Sequence, residues 1–133
     1  MPILNVTLSS APDLAQSARI AASLTQLTAQ ILQKDAALTS VAIGHVDPAH
    51  WFVGGATLAQ QRKASFFLDI LITDETNTAT QKAAYIDAVF TAMQELLGEL
   101  HEVSYIHVHD ARPAAWGYGG LTQQFRAVRK LLR

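Results

Sequence analysis

Apolar residues recur along the chain with two different periods, and each period appears twice. Pro2 to Leu8 is mostly apolar and rich in β-branched residues before a break at Ser9-Ser10, which predicts a strand beginning almost at the terminus. Ser10 stands three residues before Asp13 with Pro12 between them, a helix-start signal, and predicts a helix over about 11–34. Its apolar stripe runs through Leu14, Ala18, Ala21, Leu24, Thr28 and Ile31, flanked by Ile20 and Leu27. Thr39 to Val46 reads as a second strand, and Pro48 to Gly55 as a loop or short hairpin. The order then restarts. Ser65 to Thr73 is an apolar run of strand length. Thr78 with Gln81 forms a capping box, opening a helix whose stripe of Ile86, Val89, Phe90, Met93 and Leu97 ends at Gly98. Val103 to His109 supplies a fourth strand, and Ala114 to Gly120 a glycine-rich hairpin. The tail from Thr122 predicts a short helix, with Phe125, Val128 and Leu132 on one side and Arg126, Arg129, Lys130 and Arg133 largely on others.

The halves share more than their order. Pro48-Ala49-His50-Trp51-Phe52-Val53-Gly54-Gly55 aligns without a gap to Pro113-Ala114-Ala115-Trp116-Gly117-Tyr118-Gly119-Gly120, every pair 65 residues apart. The same offset sets Ser40-Val41-Ala42 against Tyr105-Ile106-His107, which points to an internal duplication. Two β-α-β units predict an α/β (α+β) fold with a four-stranded mixed sheet and two helices on one face. The expected organisation is one domain over 1–133, with pseudo-repeats at about 1–64 and 65–126 and a basic tail over 122–133. The uncovered sheet face is expected to be mostly apolar, and identical subunits are its simplest cover.

Composition narrows the function classes. Half of the 133 residues are apolar and 16% are charged, as suits a compact soluble protein with apolar surface to spare. A formal net charge of -1 offers no general attraction to nucleic acid or to an anionic membrane, so neither is an expected partner, and the basic tail reads as a solvated face. With no cysteine, thiolate chemistry and disulfides are excluded. No apolar run reaches the roughly 20 residues of a membrane span, and MPILNVTLSS lacks the features of a signal peptide, so a cytoplasmic location is expected.

Met1-Pro2 opening a strand, Ala37-Leu38-Thr39-Ser40-Val41 followed by His50-Trp51-Phe52-Val53-Gly54-Gly55, and Tyr105-Ile106-His107-Val108-His109-Asp110 together resemble the tautomerase superfamily. The first stretches resemble the 4-oxalocrotonate tautomerase branch and the last the macrophage migration inhibitory factor branch, over almost the whole chain to about Arg126. The resemblance implies a homotrimer imitating a hexamer of single-repeat subunits. An offset of 65 sets Phe67 against Pro2, so three proline sites per trimer are expected rather than six.

The resemblance makes Pro2 the catalytic base or acid, once loss of the initiator methionine frees its nitrogen. A terminal amine titrates near 7.7–8.0, and burial or nearby cations bring it toward the range where a general base works. It implies Tyr105, contributed across a subunit boundary, and His107 as hydrogen-bond donors to a developing enolate. It also places Trp51 and Trp116 as apolar walls, with subunit packing as the alternative. His107 and His109 offer two ligands and no third, so no metal and no cofactor is expected. The arginines with which relatives hold carboxylated dienols are missing: Ser10 and Ala11 stand at one position and Ala42 at the other. Of the hairpin-flanking cations Arg62, Lys63 and Arg112, Arg112 is the first choice as carboxylate binder. The expected function is a tautomerase acting on enols of 2-oxo acids or related carbonyl substrates. The sequence leaves open a proline-dependent decarboxylase, a hydratase-type dehalogenase of the same superfamily, and a non-catalytic trimeric binding protein.

Overall fold

A computed structural model describes residues 1–132; Arg133, assigned above to the basic side of the tail, lies outside the described residues. Strand β1 (Ile3–Leu8) is followed by helix α1 (Leu14–Ile31), strand β2 (Ser40–His45), the short pairing strands β3 (Phe52–Val53) and β4 (Ala56–Thr57), and a four-residue helix α2 (Leu58–Gln61). The second half repeats the series with β5 (Phe66–Thr73), α3 (Ala79–Leu97), β6 (Tyr105–Ala111), β7 (Gly117–Tyr118), β8 (Leu121–Thr122) and α4 (Gln123–Leu131). The main sheet has the order β2-β1-β5-β6. Each β-α-β unit pairs its strands in parallel, and β1 meets β5 antiparallel, which makes the sheet mixed.

Both helices cover the face carrying Leu4, Val6 and Leu8 of β1 and Phe66, Leu68, Ile70 and Ile72 of β5, all buried. The buried helix residues are Ile20, Leu24 and Thr28 on α1 and Tyr85, Val89 and Met93 on α3, matching pairwise at the 65-residue offset. The α1 stripe is therefore centred differently from the expected one. Leu14, the first residue of the helix, is 88% exposed. The N-cap is Asp13, whose carboxylate accepts from the amides of Ala15 and Gln16; Ser10 instead donates its hydroxyl hydrogen to the Gln16 side chain. The Thr78–Gln81 capping box forms as the sequence predicts.

Two further expectations are corrected. The open sheet face is not mostly apolar: its middle row reads Ala42, Asn5, Asp69, His107 across the four strands, with Ile3, Phe67, Leu71 and Tyr105 in the neighbouring rows. The counterpart of Pro2 is also Phe66 rather than Phe67. Ile3 pairs with Ser40 as Phe67 pairs with Tyr105, so the offset in the first strands is one residue smaller than in the hairpins. The link from strand to helix cap absorbs the difference, being one residue longer between Phe67 and Thr78 than between Ile3 and Asp13. Phe66 is fully buried within a continuous chain, so the second half has no free amine at this position.

Candidate functional site

Pro2 immediately precedes β1 at the sheet end shared with the beginning of β2, where its carbonyl accepts from the Ser40 amide at 3.1 Å. Proline is tolerated there because the first strand position has no ladder bond for it to donate. The residue is buried. Against it lies a cavity of about 470 Å³, walled by Met1, Ile3 and Leu38 on one side and by Trp116, Gly117 and Tyr118 of the second hairpin on the other. The hairpin reaches this position through tight local geometry. Gly119 and Gly120 take left-handed backbone angles in its turn, and a side chain at Gly117 would overlap the Leu121 carbonyl. Trp116 holds the next helix by accepting from the Gln123 amide at 3.0 Å, as Trp51 accepts from Leu58 in the first half. The indole Nε1 of Trp116 is buried with no acceptor within reach. An orphaned buried donor costs about 1–3 kcal/mol. A ligand oxygen would relieve that cost.

A second cavity, about 340 Å³, adjoins the first across Met1 and Gln123 and is lined by Thr73, Thr76, Arg126 and Lys130. Met1 borders both, so its removal would join an apolar, aromatic chamber to a cationic one at the Pro2 nitrogen. The amine of Met1 itself is pushed below its ordinary 8.0, chiefly by burial and then by Lys34, with Asp35 opposing. Lys34 donates to the Thr76 hydroxyl at 2.8 Å, and burial lowers its pKa in turn, with Asp110 opposing.

The residues named from sequence separate into two groups. Pro2 and Trp116 meet in one cavity. Trp51 is half-buried in the first hairpin and does not line it, because the chain runs on from that hairpin through α2 into β5, where a second terminus would otherwise lie. Tyr105 and His107 sit on β6, two strands from β1 and antiparallel to it, so Tyr105 lies at the opposite end of the sheet from Pro2. Tyr105 is 67% exposed. His107 Nδ1 is 3.0 Å from Asp69 Oδ1 but off hydrogen-bond alignment, which leaves that buried oxygen unpartnered. His109 packs beside it, with ring centroids 5.5 Å apart. Among the described residues no group of three or more His, Asp or Glu side chains gathers as a metal site. Arg112 is exposed and lines neither chamber.

The cations at these chambers are Lys34, which acts on the Met1 amine, and Arg126 and Lys130, which line the second chamber; none was selected from the sequence. Lys34 follows the end of α1 and reaches Thr76 across 42 residues of sequence, a contact without a local signature. Arg126 was read as one of several solvated tail charges. Its guanidinium lies 3.8 Å over the Tyr118 ring, and its Nη2 donates to the Tyr118 carbonyl at 3.0 Å. The only sequence hint was its place four residues before Lys130 in a helix directly after the glycine-rich hairpin.

Residues 2–61, the first half-repeat, match the Tautomerase family model, described as a tautomerase enzyme, and this match supports the resemblance to the tautomerase superfamily. Among solved structures it is similar over its length to the F6 fused 4-OT wild-type asymmetric trimer, at 18% identity and TM-score 0.80, covering 93% of this chain and 98% of that one. Leishmania major MIF2 matches at 16% identity and TM-score 0.76 over 92% and 97% of the two chains. FG41 malonate semialdehyde decarboxylase inhibited by 3-bromopropiolate matches at 15% identity and TM-score 0.73 over 96% of each. These likenesses establish the fold. No curated protein matches the sequence.

Proposed function

We propose that this chain is a tautomerase that moves a proton between the carbon and oxygen of an enol of a 2-oxo acid, with Pro2 as the base and then the acid. The observation that carries the reading is the burial of Pro2 against an aromatic chamber that meets a cationic one across Met1. A desolvated amine near positive charge holds its proton weakly, so it is free to accept one near neutral pH. The pyrrolidine ring restrains the nitrogen and the Ser40 amide of β2 anchors the carbonyl, so the nitrogen is held in one position against the substrate. Proton transfer of this kind needs no cofactor. The reading requires loss of Met1, because the amide nitrogen of an internal proline has no basic lone pair.

The fused 4-OT relative is a trimer, and a trimer suits the half-apolar, half-polar open face of this sheet. In that assembly Tyr105 and His107 of a neighbouring copy serve Pro2, since neither approaches it within one protomer. The test is intact mass together with turnover. The mass should lack the initiator methionine, and phenylenolpyruvate should be converted to phenylpyruvate with kcat/KM rising with pH as the Pro2 amine deprotonates. Full retention of Met1 in active protein would overturn the proline reading.

A further inference from the structure

α4 follows the second hairpin and carries a cluster of basic residues that the assembly of the sheet does not use. Three observations bear on what it does. Arg126 and Lys130, one turn apart, both line the chamber that adjoins Pro2, and no carboxylate side chain lines either chamber. Arg126 is held in place by its stack on Tyr118 and its bond to the Tyr118 carbonyl, yet its Nε is buried without any acceptor. Lys34 brings a third positive charge to the same end through Thr76, which lines the same chamber.

Of the carboxylates near this end, Asp110 is paired with Lys82 through Oδ2 at 2.6 Å, its buried Oδ1 having no partner, and Asp35 accepts from the Ala37 amide at 2.9 Å; neither lines a chamber. A preorganised guanidinium with an unused donor, beside a cavity whose lining holds no carboxylate, is built for an external anion.

We propose that α4 supplies the anion-binding end of the Pro2 site, with Arg126 and Lys130 holding the carboxylate of the substrate while its enol carbon faces Pro2 and its apolar end lies toward Trp116. This deepens the tautomerase reading and rests on it. It makes the substrate class a carboxylate with an apolar or aromatic end, rather than a neutral carbonyl compound. It also explains how a chain with Ser10, Ala11 and Ala42 in place of cations selects an acid: the charge comes from the far end of the sequence.

The test compares phenylenolpyruvate with the enol of its methyl ester in wild type, Lys130→Gln and Arg126→Gln, with oligomeric mass and circular dichroism as folding controls. KM for the acid should rise about tenfold or more in Arg126→Gln and by a smaller factor in Lys130→Gln, whereas kcat for both substrates and KM for the ester stay within about twofold of wild type. Lys130 is exposed and bonds to no other side chain among the described residues, so that variant keeps the test open if Arg126→Gln fails to fold. Equal rises in KM for acid and ester, or none, would overturn the role of α4 while leaving Pro2 in place. If the wild type turns over neither substrate, the tautomerase reading fails separately. Calorimetric titration with phenylpyruvate then decides the subsite, since binding that survives in the Arg126→Gln/Lys130→Gln double variant would overturn it.

Discussion

A buried hydroxyl chain joins the two long helices, and removing it should weaken the fold in a way that depends on which end is cut. Thr28 donates to the Leu24 carbonyl at 2.7 Å, which uses its only hydrogen, so the Tyr85 hydroxyl 2.8 Å away is the donor to Thr28. Tyr85→Phe removes the donor but leaves Thr28 still bonded, and should cost about 1 kcal/mol. Thr28→Val preserves shape but strands the Tyr85 hydroxyl in the core, and should cost about 2 kcal/mol. The double variant replaces both partners and should cost less than the sum of the singles by about 1 kcal/mol. Urea melts at fixed protein concentration measure all three. Burial also pushes the Tyr85 hydroxyl up to about 12 from 10.0, against the effect of its bond to Thr28. A raised folded-state value means stability is complete below pH 10 and is lost as pH climbs through 12. That loss is about 3 kcal/mol and should be missing in Tyr85→Phe. Strictly additive single variants, or identical alkaline melts for wild type and Tyr85→Phe, would refute the argument.

Other outcomes follow from single side chains. Trp116→Ala should lower turnover and trimer mass together and cost about 2–3 kcal/mol, below the range for a fully buried tryptophan because this one is half-buried, as read from melts and light scattering. Gly117→Ala places a Cβ against the Leu121 carbonyl, so the hairpin must open, and binding of phenylpyruvate should fall at least tenfold by calorimetry. Thr78→Ala removes a cap that accepts from the Gln81 amide, and should cost about 1 kcal/mol in melts while leaving KM unchanged.

Much of the architecture could be read from sequence because the information was local. Both strand–helix–strand series, the Thr78 cap and the 65-residue hairpin repeat all appear as residue spacing. Contacts between distant segments were harder. The Ser10 signal misled because Asp13, with its own carboxylate, caps the helix three residues later. The open face was misjudged because Ser65 to Thr73 was read as one apolar run, whereas Asp69 falls on the outer side of the pleat beside His107. Pro2 and Trp116 could be chosen through the resemblance, and they do share a cavity. Lys34, Arg126 and Lys130 could not, since folding alone brings a helix end, a loop and the tail to one amine. Tyr105 and His107 stand apart from Pro2 within the chain, and only an assembly could unite them.

The central claim is that a free Pro2 amine carries the proton, and the direct measurement is phenylenolpyruvate turnover by Pro2→Ala beside wild type, both confirmed by mass to lack Met1 and by light scattering to share one oligomeric state. Alanine keeps a terminal amine but makes it primary and mobile, so the loss should fall on proton transfer and reach about a hundredfold or more in kcat/KM at unchanged assembly. Undiminished turnover by the Pro2→Ala protein would contradict the account, even with the fold intact.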